Sequence, residues 1–196
     1  MNNYIITFEN ILNLDETYKE KIREWRNLPF VRNKMINSHI ISRDEHKKFL
    51  SSLEQNSKKR YYLVFYKMDP IGVVDYQIYE NKSLEFGFYL INENLSQVGF
   101  GAVFEYSILN HAFFDLKMNV VVCNTLVENK KVINLHRRFG FKEKEVHEIK
   151  VEKKEETKEL LQQIITKEEW VKVKPNIEKA IKIIVPVEKI GKFNDF

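Results

Sequence analysis

The turn Ser96-Gln97-Val98-Gly99-Phe100-Gly101-Ala102 constrains this chain more than any other stretch. Before it, residues 83–90 alternate apolar and polar side chains as a half-buried strand does. After it, Ala102, Tyr106, Leu109, Phe113 and Leu116 recur at spacings of four and three, with Phe104, Ile108 and Ala112 as a second stripe. So wide an apolar surface predicts a long helix packed against a sheet and something more. Two glycines therefore stand where a loop enters a helix. The first helical turn leaves amides unpaired and carries the positive end of the helix dipole, and glycine removes the Cβ atoms that would crowd a ligand. The turn from Val98 to Ala102 thus reads as a main-chain anion site. Gly-x-Gly at a helix start is also, and more often, plain turn chemistry.

Upstream, residues 4–8 read as a first strand. Asp15 caps a helix from about residue 16 to 27, with Ile22 and Trp25 inward, and Pro29 ends it. Ser42 and Glu45 form a capping box for a helix that ends near residue 54. Residues 60–67 and 71–79 form two strands joined by the turn Met68-Asp69-Pro70. Downstream, the apolar run around residues 120–123 predicts an interior strand, and a helix over 129–139 buries Val132, Leu135 and Phe139, with His136 at the edge of that face. Residues 144–152 and 160–166 read as a closing hairpin turned at Lys154-Glu155-Glu156-Thr157. Residues 171–196 follow the domain as an extension, with Pro175 and Pro186 bracketing an apolar segment; a packed tail or a dimer arm fits it.

Composition narrows the classes. A chain of 196 residues buries one good core, and 43% hydrophobic with 31% charged residues is ordinary for a globular protein. The net charge of +4 is spread along the chain, which suits an anionic ligand and gives no basic block for nucleic acid. One cysteine, Cys123, excludes an internal disulfide and offers no metal pattern. No apolar run approaches the roughly 18 residues of a membrane span, and no leader is evident, so a cytoplasmic enzyme is expected.

The order of elements resembles the GCN5-related N-acetyltransferase (GNAT) family. Gly99 and Gly101 match its (Gln/Arg)-x-x-Gly-x-(Gly/Ala) motif, and Asn129, Leu135, Gly140 and Phe141 match its Asn-x-x-Ala-x-x-Leu-Tyr-x-x-x-Gly-Phe motif. Three departures stand out: Ser96 for Gln or Arg, Val132 for Ala, and His136 for Tyr. Glu24-Trp25-Arg26-Asn27, Glu45-His46 and Glu85-Phe86-Gly87-Phe88-Tyr89 are similar to the branch that acetylates a UDP-linked amino sugar in pseudaminic acid synthesis. Trp-Arg-Asn and Glu-x-His also occur in relatives that acetylate ribosomal-protein termini, and Lys167-Glu168-Glu169-Trp170 resembles the end of that branch.

The resemblance implies an α/β (α+β) fold, with a mixed, mostly antiparallel twisted sheet of about seven strands and about four helices. It spans residues 1–170 and implies acetyl-CoA as co-substrate, without metal. Acyl transfer to an amine needs a base, a polarised carbonyl and a proton for the departing thiolate. The implied cofactor set is Leu90 or Ile91, through a free amide where the strand splays, then Val98, Gly99, Phe100, Gly101 and Ala102 at the turn, and Asn129 on the pantetheine arm. Glu85 is the candidate base, with Asp75 and His39 weaker and His46 structural. His136 occupies the position of the acid. Met35, His39 and Tyr89 would line the acceptor pocket. The implied acceptor is an amino-sugar nucleotide, with a protein N-terminus as runner-up and a non-catalytic acyl-CoA-binding module as a third reading. A homodimer is compatible with all three.

Overall fold

A computed structural model describes residues 4–151 and 156–194. One eight-stranded sheet runs through the molecule in the order β6-β7-β5-β4-β3-β2-β1-β8. The first four strands are β1 (Ile6–Asn10), β2 (Lys59–Tyr66), β3 (Asp69–Tyr79) and β4 (Ser83–Leu90), and they pair antiparallel in succession. The rest are β5 (Val120–Leu126), β6 (Lys142–Lys150), β7 (Thr157–Thr166) and β8 (Ile190–Asn194). β5 joins β4 in parallel and β7 antiparallel, while β6 closes that edge against β7. The turn expected between β6 and β7 lies partly outside the described residues, as does Glu152 at the expected strand end.

Local chemistry sets the helix starts. α1 (Glu16–Asn27) begins where the Asp15 carboxylate accepts from the Tyr18 amide at 2.9 Å. α2 (Pro29–Arg32) starts on its proline. α3 (Arg43–Glu54) carries the full Ser42–Glu45 capping box. α4 (Glu93–Val98) is a short helix that the glycine pattern had not disclosed, and α5 (Phe100–Asn110) follows directly. Gly99 joins them with φ +97, ending α4 in the left-handed conformation that glycine adopts without penalty. A π-turn at His111–Asp115 extends α5 toward β5.

α5 is buried nearly all round, from Val103 to Leu109. One side rests on the sheet; the other meets α7 (Lys167–Ile184). There the Tyr106 hydroxyl donates to Glu178 at 2.6 Å, and Trp170 Nε1 donates to Asn110 at 3.3 Å. α6 (Lys130–Arg138) buries Ile133 and His136, while Val132 and Leu135 are half-buried. His136 therefore lies on the buried stripe and not at its edge, because the helix is rotated toward α5.

The expected boundary at residue 170 falls inside α7, whose Thr166–Glu169 capping box carries the chain straight through. Pro175 sits within the helix. β8 then adds the eighth strand, parallel to β1. Trp170 is wholly buried and Ile181 is 1% exposed. Ile181→Ala should cost about 2–5 kcal/mol through the cavity it leaves. A urea midpoint that drops with unchanged slope is the expected result; an unmoved midpoint would make α7 a detachable arm.

Candidate active site

β4 and β5 part company midway. Their pairing covers Ser83↔Val120, Leu84↔Val121 and Glu85↔Val122, yet β4 continues to Leu90 and β5 to Leu126. Ile91 N–H donates to Ile71 O at 3.1 Å, so the odd residues of this part of β4 bond toward β3. Alternation then turns the amides of Phe88 and Leu90 toward the opening. Of the two expected amides, Leu90 faces the gap and Ile91 is committed to β3. Opposite, the backbone of Asn124 and Leu126 borders the same gap. Two unpaired edges facing each other accept an extended ligand as an added strand.

On the α1–α3 face of the sheet stand Glu85, Asp75 and Tyr89. The Tyr79 hydroxyl donates to Glu85 Oε2 at 2.9 Å and Asn124 Nδ2 donates to Oε1 at 2.9 Å. Gln162 Nε2 in turn donates to Asn124 at 3.4 Å. These side chains line a cleft of about 470 Å³. Asp75 lies opposite Gly87, where a Cβ would come within 3.2 Å of its carboxyl oxygen. Burial pushes the Asp75 carboxyl up to about 7; the Glu85 charge adds to the shift and Lys59 opposes it. Tyr61 hydrogen-bonds Asp75. Arg26 donates through Nη2 to Asn37 O at 2.7 Å, while its buried Nη1 has no partner among the described residues. Burial lowers its pKa, and the nearby Tyr89, Tyr61 and Asp75 oppose this. Sequence reasoning passed over Arg26 and Asn124 as site residues; the Trp25-Arg26-Asn27 word was the one available signal.

On the α5–α6 face, His136 Nδ1 lies 2.9 Å from Glu105 Oε1, with the ring 2% exposed and Glu105 fully buried. Phe86 meets the ring edge-on at 5.9 Å and Phe141 lies at 5.1 Å. Burial raises the Glu105 pKa and His136 opposes this. Glu105 was not singled out from sequence, although it is the lone carboxylate between Phe100 and Phe114. Cys123 is a buried core thiol, its pKa raised by burial and by the charges of Glu105 and Glu85.

The turn residues divide by role. The Ala102 amide already bonds Gly99 O at 2.9 Å, whereas the amides of Phe100 and Gly101 precede the first intrahelical bond. The Phe100 side chain is core, packed on Tyr66. A Cβ at Gly101 would meet Phe88 and Leu135 at 3.4 and 3.6 Å, ordinary van der Waals contact, so packing by itself leaves room for alanine there. A Cβ at Gly99 would strike Ile184 Cδ1 at 2.7 Å. Asn129 begins α6 with its backbone N–H donating to Leu126 O at 2.8 Å and without a side-chain capping bond, which leaves its side-chain amide for a ligand. The loop after α2 crosses toward β7, where Lys158 Nζ donates to Met35 O at 3.4 Å. His39 Nε2 lies 3.4 Å from Glu45 Oε1 at the α3 cap. His46 is 7% exposed and bonded to Lys19 O at 2.9 Å, the structural role expected of it.

A parted sheet, an α5 turn with open amides and carboxylates at the mouth fit an acyl-CoA arm and an amine. The acetyltransferase (GNAT) domain profile matches residues 12–142, and the chain belongs to that family. It is an acetyl-CoA-dependent N-acetyltransferase. More narrowly, the acetyltransferase PseH of Campylobacter jejuni strain 81-176 is 34% identical over 137 residues, 70% of this chain and 85% of that protein. The crystal structure of C. jejuni PseH in complex with acetyl coenzyme A superposes with TM-score 0.62 at 28% identity, covering 83% of this chain and 99% of that one. The Vibrio cholerae spermidine N-acetyltransferase, in complex with CoA and spermine, shares the fold at TM-score 0.73 and 18% identity, over 85% of this chain and 98% of that one. Among the described residues no helix is long and apolar enough to cross a membrane, and none of the His, Cys, Asp and Glu side chains cluster as a metal site.

Val98, 55% exposed beside the turn, offers a probe that leaves the core intact. Val98→Glu places a like charge near a bound pyrophosphate; at about 4 Å in water this costs about 1 kcal/mol, or about fivefold in CoA affinity at low salt. Unchanged affinity by calorimetry would separate the turn from the nucleotide. Asp75 gives a pH signature. Its folded pKa lies above the unfolded value, so stability falls as pH rises from about 4 to about 7 and is flat beyond. Asp75→Asn should remove that slope. The variant should match the parent only below about pH 4 and gain on it steadily up to about pH 7, exceeding it near pH 8 by of the order of 2–4 kcal/mol in urea unfolding. Parallel curves for the two proteins would place Asp75 at an ordinary pKa.

Proposed function

We propose that the chain transfers the acetyl group of acetyl-CoA to the amino group of a nucleotide-linked amino sugar. Such an acceptor is a UDP-4-amino-4,6-dideoxy-N-acetyl-altrosamine-like sugar of pseudaminic acid biosynthesis, made for surface or flagellin glycans. The observation that carries this reading is the carboxylate-lined cleft on the α1–α3 face, opening at the parted strands, together with the likeness to PseH.

In this reading the Leu90 amide hydrogen-bonds the acyl carbonyl oxygen and the edges of β4 and β5 hold the pantetheine arm, with Asn129 at one of its amides. Main-chain donors at Phe100 and Gly101 hold the pyrophosphate. Glu85, oriented by Tyr79 and Asn124, takes the amine proton through a water. Asp75, neutral below about 7, keeps a second negative charge away from Glu85. Tyr89 and Met35 border the acceptor, and the unpaired Arg26 Nη1 donates to its diphosphate or a sugar oxygen. Nε2 of His136 faces the departing sulfur.

Acetyl transfer measured across UDP-linked amino sugars and N-terminal peptides tests the acceptor. The sugar nucleotide should be favoured by about tenfold or more in kcat/KM, and UDP alone should raise the melting temperature at millimolar concentration. Peptide acetylation with no shift from UDP would make the runner-up correct. Glu85→Gln should lower kcat by about 10²-fold or more with CoA affinity retained.

A further inference from the structure

Glu105 is a wholly buried carboxylate that the reaction above leaves unused. Burying an ionised group without a partner is expensive, and an apolar side chain would fill the same space on α5 at no such cost. Glu105 Oε1 nevertheless meets His136 Nδ1 at 2.9 Å, while Oε2 has no partner among the described residues. The Nδ1 contact leaves Nε2 as the ring nitrogen available to a ligand. The ring sits against Phe86, on the β4 segment where β5 has just departed. A histidine with one nitrogen held by a carboxylate has a set orientation and tautomer, which is how such pairs serve proton transfer elsewhere.

We propose that Glu105 is a positioning residue: with His136 it forms a pair that holds one transferable proton and presents it at Nε2 to the leaving thiolate. This rests on the acetyl-transfer reading above and deepens it. The balance is simple. The amine nitrogen forms its bond to the acyl carbon, the carbon–sulfur bond breaks, and the electron pair goes to sulfur. The sulfur takes the Nε2 proton; the pair is left as a Glu105 carboxylate accepting from Nδ1–H of a neutral imidazole. Solvent returns the proton before the next turnover. The amine proton leaves through Glu85 on the opposite face. Before transfer, the proton belongs to the pair and not to either residue. Glu105 and His136 thereby take over the task of the tyrosine that the family motif carries at this place.

Facing the pair from β5 is Cys123, whose thiol burial keeps neutral; Glu85 lies across the sheet. Gln163 of β7 is buried on the same side and uncharged. Asp75 titrates on the opposite face in parent and variant alike, so the difference between their alkaline limbs of kcat reports the pair.

Glu105→Gln preserves shape and an oxygen for Nδ1–H but removes the charge that holds the proton. The alkaline limb of kcat should move down by about 1–3 pH units. The variant should lose about tenfold or more near pH 9 and less than about threefold near pH 6, with CoA affinity and melting temperature close to the parent's. A buried carboxylate with a merely structural role would give a pH-independent loss or a lowered melting temperature instead, and either result overturns the proposal. If the variant does not fold, ¹⁵N shifts of His136 in the parent decide. A protonated Nε2 at the pH of maximal activity supports the pair; a neutral ring with its proton on Nδ1 overturns it. Failure of the underlying reading looks different, since the parent itself would then transfer no acetyl group to any amine.

Discussion

The structure depends on where two parallel strands stop pairing. β4 is held along its whole length by β3, from Tyr79↔Ser83 to Gly72↔Leu90, and β5 is held by β7 from Val120↔Thr166 to Leu126↔Leu160. The sheet is thus two blocks, antiparallel throughout except where β8 lies beside β1, joined between β4 and β5 by three parallel residue pairs. Beyond that joint each strand keeps its partner on the other side, so the opening is a property of the topology and not a frayed edge. Its cost is a set of amides and carbonyls without strand partners, each worth about 1–3 kcal/mol if buried dry. A site that must be filled by water or by an extended ligand follows from that alone.

The same joint sorts the chemistry by face. Strand alternation sends Glu85 to one side and Leu84 and Phe86 to the other. Glu85 meets Tyr79 and Asn124 there, and Asn124 meets Gln162, so β3, β5 and β7 all orient one carboxylate. Phe86 meets His136, which α6 delivers from the opposite side, and α5 supplies Glu105. In the proposed reaction the amine loses its proton to one face and sulfur gains one from the other. A sheet continuous at this point would keep those two groups apart; a gap at its centre lets both reach one reacting carbon.

What the sequence displayed was whatever local chemistry decides. Asp15 and the Ser42–Glu45 box mark helix starts because capping is settled within one turn. β2, β3 and β4 lie within about two residues of their expected bounds, because the turns between them are short. The family motifs located the turn, Asn129 and His136. The misses have other causes. α4 is short and polar, so no apolar stripe announces it, and the left-handed glycine that ends it read as the entry to the next helix. The buried stripe of α6 runs through Ile133 and His136 because α5 offers Glu105 as partner, which no periodicity in α6 announces. Pro175 read as one bracket of an apolar tail segment, and it sits inside a helix anchored by Trp170 before it and Ile181 after it.

That C-terminal helix bears on how the Gly99 turn is built. The backbone φ of +97 at Gly99 is what favours glycine there. Ile184 Cδ1, the end of a flexible side chain, lies 2.7 Å from where a Cβ would stand, which sets this turn against the last turn of α7. That turn is held in place by Val185 in the core and by the strand that follows, laid beside β1. An arm that swung out to a partner would uncover Trp170 and Ile181 and remove the support beneath Gly99. Residues beyond 170 are thus joined to the rest of the fold at both the α5 surface and the far edge of the sheet.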